Sequence, residues 1–198
     1  MPKISVSPIL LSKIAIMFPD SKQHPEEDDC FVSEDYSITF HSSNEDSTRY
    51  LEILFKLRNL SCAVELCGYI EEDNHLAIFT RKFKGLYLSE YKDKFTIDDT
   101  LVNRILLAFK SIHDRGIIHG SIDDESICIT PEHEVKLVGF DDSRILTKEA
   151  DTKEDYWFLG LVLSDTLSSN GQEVSSYQRE VLTKLLDESP SRRSLFLN

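Results

Sequence analysis

Glycine is scarce in this chain, with seven residues in 198 and none before Gly68. A glycine-rich loop that brings backbone N–H groups against phosphates is thereby excluded from the first third of the sequence. Cations are also few: 22 Lys plus Arg face 35 Asp plus Glu, for a formal charge of −13. Such a surface repels nucleic acid and anionic membranes, so the expected partner is instead a basic face of another protein. No charge-free apolar run reaches the roughly 18 residues that a membrane span needs. The nearest approach, Ile4 to Phe18, is interrupted by serines, Pro8 and Lys13 and makes a poor signal-peptide core. It reads as an early strand and turn. Cysteine is limited to Cys30, Cys62, Cys67 and Cys128. Only Cys62 and Cys67 are near neighbours, and neither a second pair nor adjacent histidines complete a zinc set. Reduced, mostly buried thiols are expected. These absences describe a soluble intracellular protein, cytoplasmic or nuclear.

The strongest positive signal lies between Leu101 and Asp142. Leu101, Val102, Ile105, Leu106, Phe109 and Ile112 recur at helical spacing and define one apolar face, and Gly116 supplies the stop. A polar loop follows. Ile127 to Ile129 and Val135 to Val138 then read as short strands around the turn Pro131-Glu132-His133-Glu134. Upstream, Pro19 to Asp29 reads as a solvated charged loop. Ser42 to Thr48 forms a polar helix entry with Asn44, Asp46 or Ser47 as caps, leading into a helix over roughly Asp46 to Leu57. Leu60 to Tyr69 and His75 to Phe79 read as strands around the turn Glu71-Glu72-Asp73-Asn74. No internal repeat is present.

In this order the sequence resembles the protein kinases. His119-Gly120-Ser121-Ile122 to Ser126 stands where that family has H-R-D-L-x-x-x-x-N, and Gly139-Phe140-Asp141 stands where it has D-F-G. Asp155-Tyr156-Trp157-Phe158-Leu159-Gly160 looks like its D-x-W-S-L-G helix, and Leu182 to Arg193 resembles its closing L-L-x-x-D-P-x-x-R segment. The loop wording is nearest the H-G-D-I of vaccinia-related and casein-kinase-like members. The resemblance implies an α+β, two-lobed kinase-like fold: a β-rich small lobe over residues 1–80 and a truncated helical large lobe over 81–198. Thr80, Arg81, Lys82 and Phe83 would form the hinge. His119, Asp155 and Arg193 would be framework residues, with His119 packed under the loop and Asp155 accepting hydrogen bonds from the loop backbone.

The chemical letters are gone. Phosphoryl transfer needs an aspartate at the substrate hydroxyl, an asparagine and a second aspartate on magnesium, and a lysine on the phosphates. Matched against that set, Ser121 replaces the catalytic aspartate, Ser126 the asparagine and Gly139 the metal-binding aspartate. A serine hydroxyl is neither a base near neutral pH nor an anionic magnesium ligand. Tyr36 to His41 looks like the third strand of the small lobe, with Phe40 or His41 where the lysine would fall. Tyr50 or Leu51, with Glu52 beside them, occupies the place of its glutamate partner. Thirteen residues from Asp142 to Glu154 leave no room for a full activation segment, and Leu167 to Ser176 is too short for the helix many kinases use to dock substrate. Arg193 thus lacks the glutamate it would ordinarily pair with.

Framework retained beside erased chemistry implies a pseudokinase: no enzyme, no cofactor and no metal, binding another protein as scaffold or regulator, with a true kinase or a complex subunit as the partner class. The alternative is an atypical nucleotide-binding kinase or transferase using relocated carboxylates, with Asp123, Asp124 and Glu125 in the loop and Asp141 and Asp142 beyond the hairpin as candidates. A third reading keeps nucleotide as a structural ligand without turnover. His113 and His119 are candidate titrating groups, with packing the ordinary role for His119. Trp157 and Phe158 read as core residues, and Lys148 to Glu154 as an exposed loop.

Overall fold

The computed structural model describes residues 6–25, 29–147, 152–169 and 173–197. The chain is α+β and divides into two compact units: residues 1–59 with 64–83, and residues 60–63 with 84–198.

The first unit is a five-stranded antiparallel sheet with a helix on each face. Its elements run α1 (Pro8–Met17), β1 (Lys22–Gln23), β2 (Cys30–Val32), β3 (Tyr36–Ser42), α2 (Glu45–Leu57), β4 (Leu66–Glu72) and β5 (His75–Arg81), with strand order β1-β2-β3-β5-β4. Strand alternation assigns the two faces. Ile38 and Phe40 of β3 and Ala77 and Phe79 of β5 pack with Leu10 and Ile14 of α1. Leu76 and Ile78 of β5 and Leu66 of β4 pack with Leu54 of α2. α2 starts where its caps allow. Asn44 accepts from Ser47 N–H at 2.9 Å while Ser47 Oγ accepts from Asn44 N–H at 3.1 Å, a reciprocal box. Asn59, at φ 68°, then ends it. The β4–β5 hairpin turns on Asp73 and Asn74, both at positive φ, which short polar residues tolerate.

α1 corrects the strand and turn expected over Ile4 to Phe18. A short apolar-rich stretch does not by itself distinguish strand from buried helix. Pro8 at the first helical turn and the i, i+4 pair Leu10 and Ile14 against the sheet decide it. The strand expected from Leu60 begins only at Leu66. Residues 60–63 join the second unit, because Ala63 bridges Leu137 and the Cys62 carbonyl accepts from Leu137 N–H at 2.7 Å.

The second unit contains β6 (Leu86–Tyr87), α3 (Leu88–Tyr91), α4 (Asp99–Asp114), β7 (Ile117–Ile118), β8 (Ile127–Ile129), β9 (Val135–Leu137), β10 (Arg144–Ile145), α5 (Thr152–Ser169) and α6 (Ser176–Leu185), then a 3-10 turn at Pro190–Arg192. β6, β8 and β9 form one antiparallel sheet, and β7 with β10 another. All six apolar residues expected on one face of α4 are buried. Asp98 caps that helix by accepting from Leu101 N–H at 2.7 Å. Gly160 of α5 has no room for a side chain, since a Cβ there would stand 2.7 Å from a Leu186 methyl. Of the expected loop over Lys148 to Glu154, residues 152–154 are the first turn of α5, and 148–151 lie outside the described residues. Among the described residues no helix is long and apolar enough to cross a membrane.

Candidate functional site

The polar centre of the second unit is built around Asp155, 1% exposed in the first turn of α5. One carboxylate oxygen, Oδ2, accepts from His119 N–H at 2.8 Å and lies 2.7 Å from His113 Nε2, while Oδ1 accepts from Gly120 N–H at 3.0 Å. Burial alone would raise this carboxyl, but the hydrogen bonds from His113 and the two backbone N–H groups outweigh it and hold the group below the usual carboxylate range. Among the described residues His113 Nδ1 has no hydrogen-bond partner. The tautomer with its proton on Nε2, aimed at the carboxylate, therefore leaves no buried N–H unsatisfied.

His119 is fully buried, and its Nε2 lies 2.9 Å from the Val138 carbonyl. Its ring packs at a tilt against Phe140 at 4.8 Å and Phe109 at 5.9 Å between centroids. Burial pushes this imidazole below its ordinary value against the pull of Asp155. Ser143 Oγ donates to the His119 carbonyl at 2.8 Å. Gly120 sits at φ 83°, and a Cβ there would lie 2.6 Å from the Asp142 carbonyl oxygen. Both conditions require glycine.

The loop beyond closes on itself. Asp123 Oδ1 accepts from Glu125 N–H at 3.0 Å and Ser126 N–H at 2.7 Å, and Ser126 Oγ donates to the Asp123 carbonyl at 2.7 Å. Ser126 is buried and Ser121 exposed. Asp124 pairs with Lys92 at 3.0 Å, and Lys92 reaches Asp165 at 3.1 Å. Hydrogen bonding to Asp124 holds that ammonium above its ordinary value. Gly139, at φ 75°, is exposed, as are Asp141 and Asp142. The two acidic groups singled out in the sequence do not converge: among the described residues no set of three or more His, Cys, Asp or Glu is placed to hold a metal ion.

Arg193, left without a partner by the sequence, has one in the structure. Its guanidinium lies 4.3 Å from the Trp157 ring centroid, and its Nε donates to the Asp187 carbonyl at 3.0 Å. Trp157 is partly buried beneath it, whereas Phe158 is exposed, contrary to the core position expected. In the first unit, Phe40 is buried against α1. His41 bonds Thr39 at 3.0 Å and packs on Tyr50 at 5.4 Å between ring centroids, and Glu52 is exposed. The expected hinge is only partly a linker. Thr80 and Arg81 are the last residues of β5, and Lys82 N–H donates to the Asp35 carbonyl at 2.9 Å, which leaves Phe83 as the last residue of the unit. Burial raises the thiols of Cys62, Cys67 and Cys128, and none of the four cysteines is in a disulfide.

Sequence reasoning missed the pairing of His113 with Asp155, the Lys92 clamp and Ser143. For His113 a signal existed, because it lies four residues after Phe109 on the apolar face of α4. Comparison with protein-family models and with curated proteins finds no match to this chain.

Proposed function

We propose that this chain is a pseudokinase: a kinase-like two-lobed protein without phosphoryl-transfer activity that works as a protein-interaction module, scaffolding or regulating a partner such as a true kinase. The observation that carries this reading is the Asp155 centre. A buried carboxylate accepts the backbone N–H groups of His119 and Gly120, the tie the kinase resemblance implies. In the loop so held, Ser121 and Ser126 occupy the positions where the chemistry would need acid and amide side chains. The order β3, α2, β4, β5 also fits the small-lobe elements that the resemblance assigns to these segments.

Further support comes from what the carboxylates are engaged in. Asp123 is committed to capping its own loop and Asp124 to Lys92, which argues against the relocated-carboxylate transferase. The resemblance puts Phe40 or His41 at the place of the lysine and Tyr50 or Leu51 at that of its glutamate partner, and no choice among them supplies a lysine–glutamate pair to grip phosphates. The test is thermal unfolding with millimolar ATP and magnesium, manganese or neither. The expected result is no shift. A ligand at 100 times its dissociation constant adds about 2.7 kcal/mol, so a metal-dependent shift that disappears in Asp141→Ala or Asp123→Ala would overturn the reading in favour of the transferase.

A further inference from the structure

Eight of the ten residues of α1 are apolar, Ser12 and Lys13 being the exceptions, yet only one side is covered. Leu10 and Ile14 are buried against the sheet, while Ile9, Ile16 and Met17 are 53%, 81% and 52% exposed. A helix this rich in apolar residues ordinarily buries more of them. Ile9 and Ile16 are seven residues apart and share a face, with Ser12 and the Glu72-paired Lys13 between them.

The electrostatic setting specifies what would cover this face. The first acidic residue of the chain is Asp20, so α1 carries no acid in a protein of charge −13. Its one cation, Lys13, is neutralised by Glu72. Carboxylates stand at both ends. Asp73 accepts from Ser7 Oγ at 3.4 Å at the start of the helix, and Asp20 accepts from Glu34 N–H at 3.1 Å just past its end. Over the whole first unit, fourteen Asp and Glu face eight Lys and Arg. An apolar centre with an acidic rim is complementary to an apolar centre with a basic rim. A second copy of this chain would bring its own acidic rim against this one. In addition, a ten-residue helix about 15 Å long offers two copies too little contact to approach the roughly 1,200 Å² of a stable interface.

We infer that the outer face of α1 is a docking site for a protein partner that receives Ile9, Ile16 and Met17 in an apolar groove flanked by Lys and Arg. This extends the interaction-module reading by assigning it a surface and a partner chemistry.

The test selects binders to the full chain from a random displayed peptide library, then measures the resynthesised, fluorescein-labelled peptides by anisotropy. Ile9→Glu and Ile16→Glu alter the face, Leu161→Glu is an exposed apolar control on α5, and thermal unfolding checks that each variant folds. The expected binders combine apolar residues with Lys or Arg, weaken with added salt, and lose about tenfold or more in affinity to Ile16→Glu while Leu161→Glu leaves them unchanged. Binders without basic residues, binders indifferent to both α1 variants, or no binders at all would overturn the site. So would a wild-type dimer in sedimentation that Ile16→Glu dissociates, which would make the occupant a second copy. Ile16-dependent binding to phosphatidylcholine–phosphatidylserine vesicles would assign the face to a membrane and overturn it equally. None of these readouts involves nucleotide, so an ATP-dependent thermal shift would overturn the pseudokinase reading and leave this one standing.

Discussion

Through one buried carboxylate, Asp155 joins His113 of α4 and the backbone of His119 and Gly120 to α5. Replacing it with Asn keeps the shape but removes the charge that receives two backbone N–H groups and His113. The expected loss is about 3 kcal/mol of unfolding free energy in urea titration, in the range for breaking a buried, fully hydrogen-bonded ionic group. Ser121→Ala, at an exposed position, is expected to stay within about 0.5 kcal/mol. The same centre sets the acid limb of stability. His119 has its folded pKa lowered by burial from 6.5, so the unfolded chain takes up the proton first, and stability is lost as pH falls below that unfolded value. The Asp155 carboxyl is also lowered; its contribution is complete above the ordinary carboxylate value and disappears as pH falls through the folded one. Unfolding free energy should therefore decline in two stages, with the upper stage absent in His119→Gln. A flat profile between pH 7 and 5 would contradict the burial of His119. Gly120 adds a backbone prediction. Gly120→Ala must hold a left-handed φ and push on the Asp142 carbonyl, for a loss of roughly 2–4 kcal/mol by chemical denaturation.

The packing of α5 on α6 depends on one missing side chain. Gly160 lets Leu185 and Leu186 approach the α5 backbone, and Gly160→Leu is expected to cost about 2–3 kcal/mol by overpacking. Met substituted at the exposed Leu161 next to it provides the neutral comparison. How legible the elements were depended on their periodicity. α4 could be read from its apolar spacing, and β8 and β9 from the turn signals around Pro131. α2 could be read from Asn44 and Ser47, and here the structure selected one cap from the three available. α1 was misread because an apolar-rich stretch with scattered polar residues fits strand and helix alike. Arg193 was placed without a partner because the ring beneath it, Trp157, lies 36 residues away in the sequence.

Across the whole molecule, the excess of carboxylates outweighs every other electrostatic feature. Self-repulsion at −13 opposes the compact state. Raising NaCl from about 20 mM to about 300 mM shortens the screening length severalfold and is expected to raise the melting temperature by about 2–4 °C. A fall in melting temperature would instead mean that screened ion pairs, such as Lys92 with Asp124 and Asp165, outweigh the repulsion. The kinase resemblance places a boundary at about residue 80, and the first unit ends at Phe83. The second unit's claim on residues 60–63 was not legible, since it rests on contacts with β9 and α4, segments distant in the sequence.

The sequence by itself determined the features set by composition and short-range spacing. These are the absence of an N-terminal glycine loop, the acidic charge, the buried face of α4 and the hairpin that follows it. Tertiary structure alone decided that α1 is a helix with an uncovered side, that Asp155 collects His113 together with the loop backbone, that Asp123 and Asp124 are already engaged, and that Arg193 rests on Trp157. The division has a physical cause. Periodicity and capping act over a few residues and are written locally, whereas the partner of a buried charge or an apolar face is fixed only when distant segments compete for the same burial.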